Sequence, residues 1–355
     1  MNLDDFEKFP ELDPQNMLAE IDGLPDQLQA AWELGADLSL PAWENISQVL
    51  VTGMGGSAIG GELLSAYLAP ICPVPITVHR NYWLPAWARG SDTLVVASSH
   101  SGNTEETLSA FNQAVDRECR VLAVTTGGKL EGAAREAGAE VWRFNHQGQP
   151  RAAVGYSFGL LLAALTRLSL ATNPESELQE AIQAMRAQQA ALRADVPVVD
   201  NPAKRMAGQL MGRWVAVFGA DVLEPVAHRW KTQINELAKA WGQFGALPEA
   251  DHNTLAGIVN PEEALAHTMA LFLRAPSYHP GNTLRTNLTK KTFMLEGINT
   301  DFVDAQGEGR LAHLWTALHF GDYTAYFLAM AYDIDPTPIG AIEGFKREMR
   351  AAEGD

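Results

Sequence analysis

The chain is poor in cysteine. Only Cys72 and Cys119 occur in 355 residues, with no metal-type spacing between them, so neither a disulfide framework nor a thiolate zinc site is built into the sequence. It is also short of positive charge. Twenty-six Lys and Arg against 43 Asp and Glu leave a net −17, which argues against non-specific binding to nucleic acid or to an anionic membrane. An anionic ligand must then be attracted by local donors. Long hydrophobic runs are missing too: the longest, Tyr156 to Ala171, is interrupted by Arg167 and reads as a buried helix rather than a membrane span. The acidic start, Met-Asn-Leu-Asp-Asp-Phe-Glu-Lys, lacks a signal-peptide core. A cytoplasmic protein is the expectation.

What is present suits a two-domain globular chain, with 46% apolar and 19% charged residues. Residues 1–45 read as a helical lead, with Met17, Leu18, Ile21, Leu24, Leu28 and Trp32 at roughly helical spacing. Short strand patterns follow at Gln48–Thr52, Ile76–His79, Thr93–Ala97 and Arg120–Thr125, with helical patterns between them; that alternation predicts a parallel α/β sheet across 46–172. Residues 173–212 read as connecting helices. Residues 213–355 echo the first unit, with a strand from Trp214, a helix over His228–Gly242, strand candidates at Leu271–Arg274 and Thr292–Leu295, and helix from Leu311 onward, broken by an Asp335-Pro-Thr-Pro turn.

The densest chemistry lies at 94–107, Leu-Val-Val-Ala-Ser-Ser-His-Ser-Gly-Asn-Thr-Glu-Glu-Thr. An apolar strand ends in hydroxyls and a helix starts at once. A helix N-terminus offers unpaired N–H groups and the positive end of its dipole to an anion, and Ser99, Ser101 and Thr104 add neutral donors. A single hydroxyl suffices for an N-cap; this cluster exceeds that need and suits a phosphate. Upstream, Gly53-Met-Gly-Gly-Ser57-Ala fits a loose dinucleotide pattern. The acidic residue expected after the second strand is replaced by His79-Arg80-Asn81, and Arg80 is the residue that a 2′-phosphate would need. The same glycines also serve an ordinary tight turn.

Arg151 opens the apolar helix, where its charge opposes the dipole; an anionic ligand and a surface ion pair account for it equally well. Arg229, Thr232, Glu236 and Lys239 share one helix segment, and Glu between Lys and Arg is usually an ion-pair ladder. His252 follows in a polar loop. A Glu and a His together make a workable proton-transfer pair.

In this order, Gly-Met-Gly-Gly-Ser, Ser-x-Ser-Gly-Asn-Thr-Glu-Glu-Thr, Pro-Arg, Arg-Trp-Lys-x-Gln-Ile-Asn-Glu, His-Asn and a terminal Asp-Pro-Thr-Pro…Phe-Lys, the chain resembles the sugar isomerase (SIS) family, in its bifunctional phosphoglucose/phosphomannose isomerase branch. The resemblance implies two SIS-type domains, each a parallel sheet flanked by helices (three-layer α/β/α), with helical extensions at both ends. It implies an aldose–ketose isomerase interconverting glucose 6-phosphate, and mannose 6-phosphate, with fructose 6-phosphate through a cis-enediol. Ser57, Ser99, Ser101 and Thr104 would hold the phosphate, Arg151 would stabilise the enediolate, and Glu236 would shuttle the proton. Lys346 would assist at the ring oxygen. His252 would open the ring from the other subunit of a homodimer. No cofactor and no metal is required. The chain departs from the family pattern at His100, Leu237 and Thr254. Three rivals are a non-catalytic sugar-phosphate-binding regulator, which has no need of Glu236 and His252, an NAD(P) oxidoreductase, which has no use for the Ser99–Thr104 cluster, and an amidotransferase, for which Asn2 replaces the required N-terminal Cys.

Overall fold

The computed structural model of the chain describes residues 1–353; positions 354 and 355, the end of the expected second unit, lie outside that description. The lead forms three helices, α1 (Phe9–Leu12), α2 (Met17–Asp22) and α3 (Leu24–Asp37). Then come β1 (Gln48–Thr52), α4 (Gly55–Leu68), β2 (Ile76–His79), β3 (Thr93–Ser99), α5 (Glu105–Asp116), β4 (Arg120–Thr125), α6 (Gly128–Glu136), β5 (Glu140–Arg143) and α7 (Val154–Arg167). The connecting helices are α8 (Glu175–Gln189) and α9 (Pro202–Leu210). The second unit runs β6 (Trp214–Ala220), α10 (Glu224–Glu236), β7 (Gly242–Leu247), α11 (Glu262–Ala266), β8 (Thr268–Arg274), α12 (Pro280–Leu295), β9 (Asn299–Asp304) and α13 (Gly309–Ala331), and α14 (Gly340–Glu353) follows. None of the described helices is long and apolar enough to cross a membrane.

Both sheets are parallel, with strand orders β2-β1-β3-β4-β5 and β7-β6-β8-β9. In the first, side-chain alternation sorts residues to two faces. Val49, Val51, Leu94 and Val96 join the larger core with Ile59 and Leu63 of α4 and with α7. Leu50, Val95 and Ala97 pack the other way, on Phe111 of α5 and Leu130 of α6. That is a three-layer α/β/α unit. In the second sheet Phe218 stacks on Phe272, and Phe293 of α12 closes edge-on over both. The central helix α13 is buried along almost its whole length, so its apolar residues show no one-sided pattern.

Three expectations are corrected. The strand expected at Thr292–Leu295 is the last turn of α12: Thr286, Thr289 and Phe293 are buried at helical spacing, while Met294 and Leu295 face outward. The true edge strand, β9, is polar over most of its length. The helix expected over His228–Gly242 stops at Glu236, because Lys239 adopts a left-handed φ of 52° and Gly242 opens β7. Strands β5 and β7 were also not anticipated; two glycines in Gly-Gln-Phe-Gly-Ala-Leu hide β7 from propensity.

Strand order reverses between β1 and β3 in the first sheet and between β6 and β8 in the second. Such reversals open a crevice at the carboxyl ends of the strands. In the first sheet the crevice receives the 53–57 and 99–104 loops. In the second it is filled from within. Asp221 holds a positive φ of 47°, accepts the His279 N–H at 2.9 Å and the Asn282 side-chain N–H at 3.0 Å, and so occupies the N-terminus of α12 with its own carboxylate.

Helices α4 and α7 cross at Gly60, where a Cβ would lie 2.5 Å from the Ser157 Cβ and 2.7 Å from its carbonyl carbon. Replacing Gly60→Ala therefore lowers stability by about 1–3 kcal/mol, measured as a shift of the urea midpoint at unchanged slope.

Candidate active site

Parallel pairing of β1 and β3 brings two loops together at the carboxyl edge of the first sheet. Ser57, in the first turn of α4, and Ser99, the last residue of β3, are both buried. The Ser99 and Thr104 hydroxyls are 3.0 Å apart, and the His100 N–H donates to Ser57 Oγ at 3.2 Å. Thr104 is the N-cap of α5 yet makes no side-chain capping bond, which leaves the first amides of that helix to other acceptors. Ser101 lies exposed at the tip, its Oγ accepting from the Asn103 N–H at 3.2 Å. The sharp turn through Gly102, φ 66°, presses on the Gly127 carbonyl and admits no Cβ. Ser57, Ser99 and Thr104 thus form one hydroxyl cluster, with Ser101 on its rim.

Arg151 sits in the turn before α7, directly against Gly56, where a Cβ would meet the Pro150 oxygen at 2.5 Å. Its side chain is 3% exposed. The guanidinium donates to the carbonyls of Pro336 at 3.0 Å and Thr337 at 2.5 Å. It lies 3.6 Å from Glu236 Oε2, an ion pair without a hydrogen bond. Among the described residues its Nε and the buried Thr337 hydroxyl have no hydrogen-bond partner, so polar capacity is left over where Arg151, Glu236 and Thr337 meet. Burial lowers the basicity of Arg151 and Arg229 adds to that, against the pull of Glu236 and Asp335; a guanidinium remains charged regardless.

Glu236 is delivered by the C-terminus of α10, and the fork between Arg229 and Asp322 of α13 fixes that helix. Arg229 donates from Nε at 3.1 Å and from Nη2 at 2.8 Å to the two carboxylate oxygens, with both side chains buried. Arg229 therefore faces α13 and is not part of the surface ladder that its spacing suggested. Lys239 leaves the helix face as well. Its ammonium donates to the carbonyls of Glu236 (2.9 Å), Leu237 (3.2 Å) and Asp335 (2.9 Å). Three successive carbonyls of the Asp-Pro-Thr turn are thus held by Lys239 and Arg151, a wall that spacing alone did not reveal. The stem of Lys239 is exposed but its nitrogen is enclosed. Burial of that nitrogen and the nearby Arg151 charge push it down to about 8.

Two expected members are not brought to this pair within one chain. His252 is exposed on a short turn after β7. That turn is bolted to α12 through Asp251, which takes Arg285 at 2.9 Å and Thr289 at 2.6 Å. Lys346 is exposed on α14. Arg80, the residue needed for the dinucleotide alternative, pairs with Glu62 at 2.7 Å, and Glu62 also meets His228 Nδ1 at 2.9 Å. Burial works to raise the Glu62 carboxyl, but these two partners hold it below the usual range. A concavity of about 720 Å³ between Leu192, Met206, Phe302 and Phe320 is lined by none of these groups.

Residues 199–349 match the family model described as the bacterial phospho-glucose isomerase C-terminal SIS domain. A bifunctional phosphoglucose/phosphomannose isomerase of Caldicellulosiruptor bescii is 36% identical over 94% of this chain and 98% of its own length. The chain belongs to that family. A second family member, from Aquifex aeolicus, is 32% identical over 87% of this chain and 94% of its own. Among solved structures, a hypothetical protein of Thermus thermophilus superposes with a TM-score of 0.74 at 15% identity, covering 98% of this chain and 92% of that one, a likeness of fold. This phosphoglucose/phosphomannose isomerase relative thus has two SIS-type parallel sheets flanked by helices, as the sequence led us to expect.

Two measurements probe the second-unit frame. Asp322→Ala strands the buried Arg229 charge and costs about 3–5 kcal/mol in urea unfolding. Lys239 has a folded pKa below the ordinary lysine value, so between about pH 8 and 10.5 the unfolded chain holds more protons and folding gains stability as pH rises. The stability of the wild type relative to Lys239→Met is therefore flat below pH 8 and improves from pH 8 to 10.5.

Proposed function

We propose that the chain is a phosphosugar isomerase that interconverts glucose 6-phosphate and mannose 6-phosphate with fructose 6-phosphate. The observation that carries the reading is the Glu236 carboxylate set 3.6 Å from a buried Arg151 whose Nε is unpartnered, across from a hydroxyl cluster on the other sheet. The C2 proton of an aldose phosphate is weakly acidic. A carboxylate base must be aligned to it, and a fixed cation must meet the oxyanion that develops. Glu236 takes the C2 proton, the electron pair moves through C1 to the carbonyl oxygen, and Arg151 stabilises the cis-enediolate. The O2 proton passes to the neighbouring O1 of the cis-enediolate, and Glu236 returns its proton to C1 as the C2–O bond becomes the ketone carbonyl. Ser57, Ser99, Ser101 and Thr104 hold the phosphate with neutral donors and α5 amides.

His252 supplies the acid–base group for ring opening, donated by the partner in a homodimer, and Lys346 assists at the ring oxygen. The exposure of both supports a partner-completed site. Segments 46–172 and 213–355 act as the two SIS units of a cytoplasmic enzyme. The pairing of Arg80 with Glu62 disfavours a dinucleotide, and the Glu236–Arg151 pair disfavours a pure sensor.

Purified protein supplied with glucose 6-phosphate or mannose 6-phosphate forms fructose 6-phosphate, and Glu236→Gln lowers kcat by about 10³-fold, the scale of general acid–base catalysis. No product from either sugar sinks the reading; an undiminished variant sinks the base assignment.

A further inference from the structure

Behind the hydroxyl loop, three titratable side chains from distant parts of the sequence stand in line. His100 Nε2 is 2.9 Å from His146 Nδ1, and His146 Nε2 is 3.1 Å from Glu20 Oε2. Glu20 belongs to α2 in the helical lead, His146 to the segment between β5 and α7, and His100 stands between Ser99 and Ser101. The backbone of His100 is already committed to the site. Its N–H reaches Ser57, and its carbonyl accepts the Thr126 N–H at 3.1 Å and hydroxyl at 2.7 Å. Phe144 packs edge-on against the His100 ring and stacks on Tyr156, which in turn meets His146.

The line is continuous in hydrogen bonds: the Glu20 carboxylate accepts from His146 Nε2, and His146 Nδ1 meets His100 Nε2. Burial and the neighbouring His146 hold His100 at about 4, which keeps its ring neutral. The His100 ring is thus tied, through His146, to Glu20 at the far end. Helix α2 is itself anchored, with Asp13 accepting the Met17 and Leu18 N–H groups at 2.8 and 3.0 Å. Glu20 also borders a cavity of about 250 Å³ shared with Gln149 and Thr337, so the line runs from the wall beside Arg151 to the hydroxyl loop.

We propose that Glu20, His146 and His100 form a relay that positions the phosphate loop: the Glu20 carboxylate, acting through His146, fixes the His100 ring and with it the segment from which Ser99 and Ser101 meet the substrate phosphate. This rests on the isomerase reading and makes His100 a positioning residue. It also gives the helical lead a part in substrate binding. Neutral hydroxyls bind a phosphate well only when they converge on it, so loosening the loop weakens binding of the phosphate end more than it slows proton transfer at Glu236.

The test is steady-state kinetics with fructose 6-phosphate. Glu20 is half-buried, and Glu20→Ala keeps the helix. It raises KM about fivefold while kcat changes less than about twofold, a ground-state binding effect. Glu20→Gln restores the acceptor and recovers most of the loss. Glu20→Ala made in a His100→Phe background adds nothing further to KM, because members of one network are not additive. An unchanged KM in Glu20→Ala, no recovery in Glu20→Gln, or independent effects in the double variant overturns the relay. A wild-type protein that turns over fructose 6-phosphate keeps that failure separate from failure of the isomerase reading; a wild-type protein without turnover overturns both.

Discussion

The fork between Arg229 and Asp322 is the constraint on which the second unit depends. A buried ion pair adds little net stability, because desolvation offsets most of its attraction, yet removing one partner is expensive. Its value here is rotational. Arg229, Trp230 and Gln233 turn one face of α10 onto α13, and Glu236 at the end of the helix is thereby aimed at Arg151. The position of the Glu236 carboxylate is thus set by a bidentate lock two turns away.

The two units meet through helices, α4 of the first against α10 of the second. The hydroxyl cluster lies at the carboxyl edge of the first sheet, whereas Glu236 lies at the amino edge of the second, beside the start of β7. Arg151 bridges them, because its turn packs on the α4 N-terminus while its guanidinium reaches the 336–337 carbonyls. The division suits a strongly acidic chain. On the proposed reading, hydroxyls and helix amides hold the phosphate without lowering the pKa of a nearby base as an added Lys or Arg would, and Arg151 is left for the reacting end.

Apart from β5, the first unit was legible because each level of its sequence agrees: apolar strands, glycine turns and helical patterns repeat at βαβ spacing, and adjacency of β1 and β3 places Ser57 beside Ser99. Elements whose burial comes from tertiary partners were not legible. Strand β9 is polar, β7 is glycine-rich, and Thr292–Leu295 has strand composition on a helix that buries only Phe293 of that run. Local spacing around Arg229 and Lys239 suggested a surface ladder, since nothing in the segment announces Asp322, 93 positions away. The Arg151–Glu236 approach joins two units and was reached through family resemblance rather than spacing. Thr337 and the Glu20–His146–His100 line depend on where both termini pack; local spacing signalled the helical lead and the Asp-Pro-Thr-Pro turn but not their tertiary partners.

Asp221 gives the repeat its asymmetry. Each sheet has a reversal crevice facing a helix N-terminus, the feature proposed above to hold the phosphate in the first unit. In the second, a covalently tethered carboxylate takes the amide of His279 and the amide side chain of Asn282. A side chain has thus become a permanent ligand there, one that neither dissociates nor competes at any substrate concentration. Of the two crevices the second is occupied by the chain's own carboxylate, so the repeated fold is asymmetric in the charge it presents.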